Sequence, residues 1–147
     1  MIKRLLIENF KTIRSLDLPC KRYNLFIGDT NTGKSNILEA MSLLSQNCVG
    51  PTRDGSHQQE FDRRIIRYGQ INDLFPGRDV TQQMRVSTDP MSVAASFSFS
   101  TFTFEFTDRR QVPVQYKIEP TGVVLDWGKT DASLDSPIRR YQYDPNV

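Results

Sequence analysis

The sequence predicts an α/β chain, α+β in appearance, in which a strand–loop–helix unit is flanked by an antiparallel β meander. Three observations predict it. A short apolar run, Tyr23-Asn24-Leu25-Phe26-Ile27, stops abruptly at Gly28. Beyond a glycine-bounded turn, the apolar period becomes helical from Ser35. The second half alternates apolar and polar residues in segments separated by turn-forming residues.

Residues 2–10 and 12–19 read as two strands, the second alternating through Ile13, Leu16 and Leu18. The run 23–27 is apolar on both faces, the pattern of a buried central strand. In the helix that follows, Ile37, Leu38, Ala40, Met41 and Leu44 fall on one face, and Gly50-Pro51 closes it off. Residues 51–60 are polar and contain Gly55, which predicts an exposed loop. Phe61, Ile65 and Tyr68 predict a second short helix over 58–68.

Residues 92–107 carry a change of phase. Val93, Ala95, Phe97 and Phe99 are odd, whereas Phe102, Phe104 and Phe106 are even. One uninterrupted strand would put the two sets on opposite faces. A break or bulge near Ser100-Thr101 puts them on one face as core. Asp108-Arg109-Arg110 then predicts a turn into a strand over 112–118, and Pro120-Thr121-Gly122 one into 123–127. The whole reads as one partial domain, with a loop-bearing unit at 1–50, a loop and helical connection at 51–90 and an antiparallel β subdomain at 91–147.

With 147 residues, 37% of them apolar, the chain can bury a core without a disulfide or metal staple. The net charge of +2 excludes a strongly basic nucleic-acid protein as a whole-chain reading. Residues 1–40 carry seven basic and four acidic groups, a mild local bias of +3. Cys20 and Cys48 are too few for a disulfide framework, and His57 is the single histidine, which excludes multi-histidine metal sites. No apolar run nears the ~20 residues of a membrane span, and the first residues lack the pattern of a signal peptide. The expectation is a soluble, cytoplasmic chain with no membrane association.

One motif carries chemistry. Gly28-Asp29-Thr30-Asn31-Thr32-Gly33-Lys34-Ser35 is an instance of G-x-x-x-x-G-K-[ST] between an apolar run and an amphipathic helix. Its glycines let the backbone curl so that successive N–H groups face phosphate oxygens. The helix adds free N–H groups and the positive end of its dipole. Lys34 would reach the β- and γ-phosphates of ATP, and Ser35 would offer its hydroxyl to Mg²⁺.

Residues 2–44, read with this loop, resemble the N-terminal lobe of ABC-type, AAA-family ATPases of the RecF, SMC and OLD (overcoming lysogenisation defect) group. There, two antiparallel strands precede the strand that leads into the loop. Asn9-Phe10-Lys11 resembles the family's N-F-[RK] motif, which implies that Lys11 and its neighbour Thr12 lie near the nucleotide; a solvated turn lysine is the alternative. Asn36 fits the family's G-K-S-N ending. Where the family commonly has Asn-Gly, this chain has Thr30-Asn31, and asparagine tolerates a left-handed backbone. Residues 66–75 (IRYGQINDLF) resemble the segment leading into the β subdomain of OLD-like ATPases, and 139–144 (RRYQYD) a later strand.

The resemblance also implies parts that are missing. No Gly-Gly occurs, so there is no serine-glycine-glycine signature. Asp126, ending a short apolar run, is followed by Trp127 where the family has glutamate. An ATP-binding lobe incomplete for hydrolysis is the expectation, in a protein tied to DNA repair, chromosome maintenance or phage defence. Its implied partners are ATP, a second ATPase head as a homodimer, and DNA. A small phosphotransferase, such as a nucleoside or metabolite kinase, and a nucleotide-binding interaction module without turnover remain as alternatives.

Overall fold

In the computed structural model, residues 2–44, 49–51, 59–61, 66–89, 91–98, 100–107, 113–119 and 124–127 are described. Period-2 patterning decides most of the architecture. The strands are β1 (Arg4–Phe10), β2 (Ile13–Pro19), β5 (Met84–Thr88), β6 (Met91–Ser98), β7 (Thr101–Thr107), β8 (Pro113–Ile118) and β9 (Val124–Trp127), with a separate short pair, β3 (Val49–Pro51) and β4 (Gln59–Phe61). The seven form one sheet in the order β2-β1-β5-β6-β7-β8-β9, every neighbouring pair antiparallel.

Register brings the apolar positions into rows. Ile7 pairs with Val86, Val86 with Val93 and Val93 with Phe106. Met84, Ala95 and Phe104 form the next row. All these side chains are buried on one face. The other face carries Ser96, Ser98, Glu105 and Lys117 into water. The helix α1 (Lys34–Leu43) covers the apolar face with Ala40 and Leu43. Ile66, Tyr68, Ile71, Leu74 and Phe75 cover the rest, from a segment that includes the 3₁₀ turns Ile71–Leu74 and Pro76–Arg78. The Lys11 amide donates to the Leu74 carbonyl at 2.8 Å, pinning this segment to the β1–β2 turn.

The expected break in the phenylalanine segment is a hairpin. β6 and β7 pair Phe97 with Phe102, and Ser100 in the connection has φ 62°. Reversing the chain there, rather than continuing it, returns Phe102, Phe104 and Phe106 to the face of Val93 and Ala95. Phe97 is half-buried, its ring 4.6 Å from that of Phe102. The two predicted N-terminal strands and the meander into β8 and β9 are likewise present. Phe99, the predicted turns at 108–110 and 120–122, and the stretch 139–144 lie outside the described residues.

Four expectations are corrected. Residues 23–27 form no strand, and Tyr23, Leu25 and Ile27 are 82%, 83% and 85% exposed. Asn24 instead closes a turn on Lys21, accepting from its amide at 3.0 Å and donating to its carbonyl at 2.9 Å. No neighbouring strand among the described residues pairs with 23–27. Leu38 is exposed, because the helix turns Glu39, Ala40 and Leu43 inward instead. Within the predicted exposed loop and second helix, residues 59–61 pair as β4 with β3, which suits Phe61 and Val49. β5 was not expected at all; it bridges β1 to β6, so strands from both ends of the chain share one sheet.

A test of the core follows from Phe104, fully buried between β6 and β8. Phe104→Ala is expected to lower stability by about 3–5 kcal/mol, read as a collapse of the thermal melt. A melting temperature left in place would show that these rings do not hold the core.

Candidate functional site

The glycine-rich turn is built by local hydrogen bonds and two left-handed residues. Asn31 has φ 64° and Gly33 has φ 88°. Asparagine thus takes the conformation that a glycine takes more commonly. Thr32 Oγ1 donates to the Asp29 carbonyl at 2.8 Å. Lys34 Nζ donates to the Gly28 carbonyl at 2.6 Å, to the Asp29 carbonyl and to Thr32 Oγ1 at 2.9 Å. The ammonium therefore sits at the centre of the loop. Space is tight at Gly28, where a Cβ would meet Thr32 Oγ1 at 3.1 Å.

Gly33 also caps α1, without a side-chain hydrogen bond to its first turn. The first N–H groups of that ten-residue helix thus open towards the loop. A cavity of about 730 Å³ is lined by Gly28, Thr30, Asn31, Thr32, Gly33, Lys34, Ser35 and Asn36, with Thr12 and Arg67 across from them. Asp29 contributes its carbonyl to the loop rather than a wall to the cavity. Asn36 Nδ2 donates to Thr12 Oγ1 at 2.7 Å, tying the β1–β2 turn to the helix start. The Ser35 hydroxyl is exposed beside Lys34, as a single oxygen ligand of Mg²⁺ would have to be. Among the described residues, no group of three or more His, Cys, Asp or Glu side chains could hold a metal by itself.

Lys11 does not face this cavity. It occupies the β1–β2 turn with φ 52°, and its ammonium donates to Glu39 Oε2 and to the Arg67 carbonyl. Glu39 is the one charged group buried among the described residues. Its Oε2 also accepts the Arg67 amide at 3.1 Å, and its Oε1 accepts Arg67 Nε at 2.8 Å, with Nη2 at 2.7 Å. Burial pushes the Glu39 carboxyl up, but the hydrogen bonds from Lys11 and Arg67 outweigh it and hold it below its ordinary value.

A second cavity, of about 690 Å³, adjoins the first and shares Thr12, Asn36 and Arg67 with it. Its remaining wall includes Lys11, Tyr68, Gly69, Asp73, Phe75, Gly77 and Arg78. Asp73 is committed there, accepting from the Gly69 and Gln70 amides at 2.8 Å each and from Arg78 Nε at 2.8 Å. The Gln70 amide in particular holds its carboxyl below the usual range.

The structure thus gathers the loop residues with Thr12 and Asn36, and sets Lys11 behind them. Two residues at the site had not been singled out. Arg67 carries no local signal. Glu39 carries none either, since it lies on the helical side away from the predicted apolar face of Ile37, Leu38, Ala40, Met41 and Leu44. Asp126 belongs to β9, at the opposite edge of the sheet from β2, which leads into the loop.

Comparison with known proteins adds family evidence. The AAA ATPase domain family matches residues 1–102. The DNA replication and repair protein RecF of Mannheimia succiniciproducens is 32% identical over 78 residues, covering 52% of this chain and 20% of that protein. RecF of Glaesserella parasuis is 33% identical over 70 residues, 47% of this chain and 18% of that protein. RecF of Ruminiclostridium cellulolyticum shows the same identity over 70 residues and 17% of its length. The chain therefore spans about a fifth of the length of these relatives.

The buried carboxylate generates a pH signature. With its folded-state pKa depressed, Glu39 contributes stability above its ordinary value of 4.5 and loses it as the pH falls through the folded-state value. Wild type and Glu39→Gln are expected to differ by about 3 kcal/mol at pH 7, the scale of a broken buried pair. Unfolding midpoints measured from pH 7 down to pH 3 should converge in acid. A gap constant across that range would show that the charge is not what stabilises the fold.

Proposed function

The chain belongs to the AAA ATPase domain family, matched over residues 1–102, and on that premise we propose that residues 28–35 bind the phosphates of ATP with Mg²⁺. The observation that carries this reading is the loop cavity itself. It is lined by the first residues of α1, by Lys34, whose ammonium is bound within the loop, and by Arg67. Backbone amides, a helix end and two cations converge there, which suits a multiply charged phosphate chain.

The assigned roles follow from position. Lys34 would meet the β- and γ-phosphates, and Ser35 would supply one oxygen to Mg²⁺, which would offset the phosphate charge. Gly28, Asp29, Thr30, Asn31, Thr32 and Gly33 form the cradle. Thr12 and Asn36, joined to each other, line its mouth. Arg67 is added as a phosphate contact, since it lines the same cavity as the loop and its side chain is 69% exposed. Lys11 is a tie within the wall rather than a ligand of the nucleotide.

The wider reading is an ATPase that acts with DNA in repair, chromosome maintenance or phage defence, in the cytoplasm and as a pair of heads. Its DNA-repair part is supported by the likeness to RecF proteins, which are DNA replication and repair proteins. No helix among the described residues is long and apolar enough to cross a membrane. A binding lobe without turnover of its own is favoured over a small phosphotransferase, because an antiparallel strand pair precedes the loop and a phenylalanine-rich antiparallel meander follows it.

Calorimetry tests the site. Lys34→Ala is expected to weaken ATP binding by about 1.5–3 kcal/mol, the worth of a charge-assisted contact, and Arg67→Ala by a similar amount. Equal affinities for wild type and Lys34→Ala would sink the assignment. Phosphate release by this chain alone should stay at background. Steady turnover that Lys34→Ala abolishes would show that the site is complete for hydrolysis.

A further inference from the structure

Glu39 touches no cavity meant for a ligand, yet its carboxylate grips Arg67 at both ends. Oε2 accepts the Arg67 backbone amide, and Oε1 accepts Nε and Nη2 of the same residue. The glutamate side chain is 8% exposed and the arginine side chain 69%. An exposed cation is thus held in a fixed place by a buried anion. The same arginine lines the loop cavity.

We propose that Glu39 is a positioning residue that holds the Arg67 guanidinium against the phosphate loop. The inference rests on the nucleotide reading of that loop. Its physical basis is twofold. A free arginine side chain samples many rotamers, and fixing Nε and the amide beforehand removes most of the entropy that binding would otherwise lose. Glu39 also lies one turn along α1 from Ser35, so the carboxylate registers Arg67 to the helix whose N-terminus faces the anion.

Lys11 completes the device. A carboxylate paired with Arg67 alone would cancel its charge. With the Lys11 ammonium on Oε2, the cluster holds two cations and one anion, a net charge of +1. The arginine is oriented by Glu39 without being neutralised by it. The same ammonium donates to the Arg67 carbonyl, closing a ring that fixes the main chain as well.

The test is a double-mutant cycle read by calorimetry with ATP, and with inorganic tripolyphosphate to isolate the phosphate contacts. Glu39→Gln should lower affinity about tenfold in the wild-type background and leave it unchanged in Arg67→Ala. Equal losses in both backgrounds would mean that Glu39 acts on the fold at large, and would overturn the proposal. Should Glu39→Gln fail to fold, Arg67→Lys decides. It keeps the charge but lacks the fork, so it should lose as much affinity as Arg67→Ala. Wild-type affinity in Arg67→Lys would show that an unpositioned charge suffices, and the proposal would fall while ATP binding stood. A wild-type chain that binds neither probe would overturn the nucleotide reading together with this inference.

Discussion

A buried carboxylate that gathers three separate pieces of chain constrains everything around the loop. Glu39 comes from α1, Lys11 from the β1–β2 turn and Arg67 from the segment that leads into the 3₁₀ turns. None of these pieces fixes its neighbours by backbone pairing alone. The turn is two residues long, the helix ten, and residues 66–70 are neither helix nor strand. Desolvating a charge is costly, and it is tolerated here because both carboxylate oxygens have partners. The Lys11 backbone, with φ 52°, is held in that left-handed turn by the same contacts and by the hydrogen bond its amide donates to the Leu74 carbonyl.

The sheet contributes rigidity and little chemistry. Its apolar rows are continuous from β1 through β7, and the helix and residues 66–75 lie over them in a second layer. The loop is thereby placed at one margin of the domain, beyond β2, where the main chain leaves the sheet. What faces the loop cavity comes from turns and segment ends, and a ligand there would meet side chains that the core does not need.

Much of this was legible in the residues. The phase change from Phe97 to Phe102 meant that the two sets could share one face only through a break or a bulge, because side chains alternate strictly along a strand. Asn31 could be read as left-handed because few other side chains tolerate that backbone in the middle of a tight loop. Leu38 misled, since helical period alone does not say which of two adjacent residues turns inward, and the ion pairs of Glu39 decided it. β5 was missed because Met84–Thr88 is five residues long and only Met84 and Val86 in it are apolar, so its pattern is brief. Arg67 could not be found locally at all. It is 28 residues from Glu39 and 56 from Lys11, and only the folded chain brings them together.

The unpaired run at 23–27 has a consequence for handling the protein. Three large apolar side chains stand more than four-fifths exposed on a stretch rich in strand-forming residues, beside no strand of the described fold. Such a stretch is a template for contact between copies, and natural proteins guard against that with flanking charge. Lys21 and Arg22 stand on one side and Asp29 on the other, with the Arg22 guanidinium 5.6 Å from the centre of the Tyr23 ring. Colloidal behaviour therefore hangs on a few charges next to the very loop that carries the chemistry. A concentrated kosmotropic salt such as sulfate, which screens those charges while strengthening apolar association, is expected to promote aggregation of this chain.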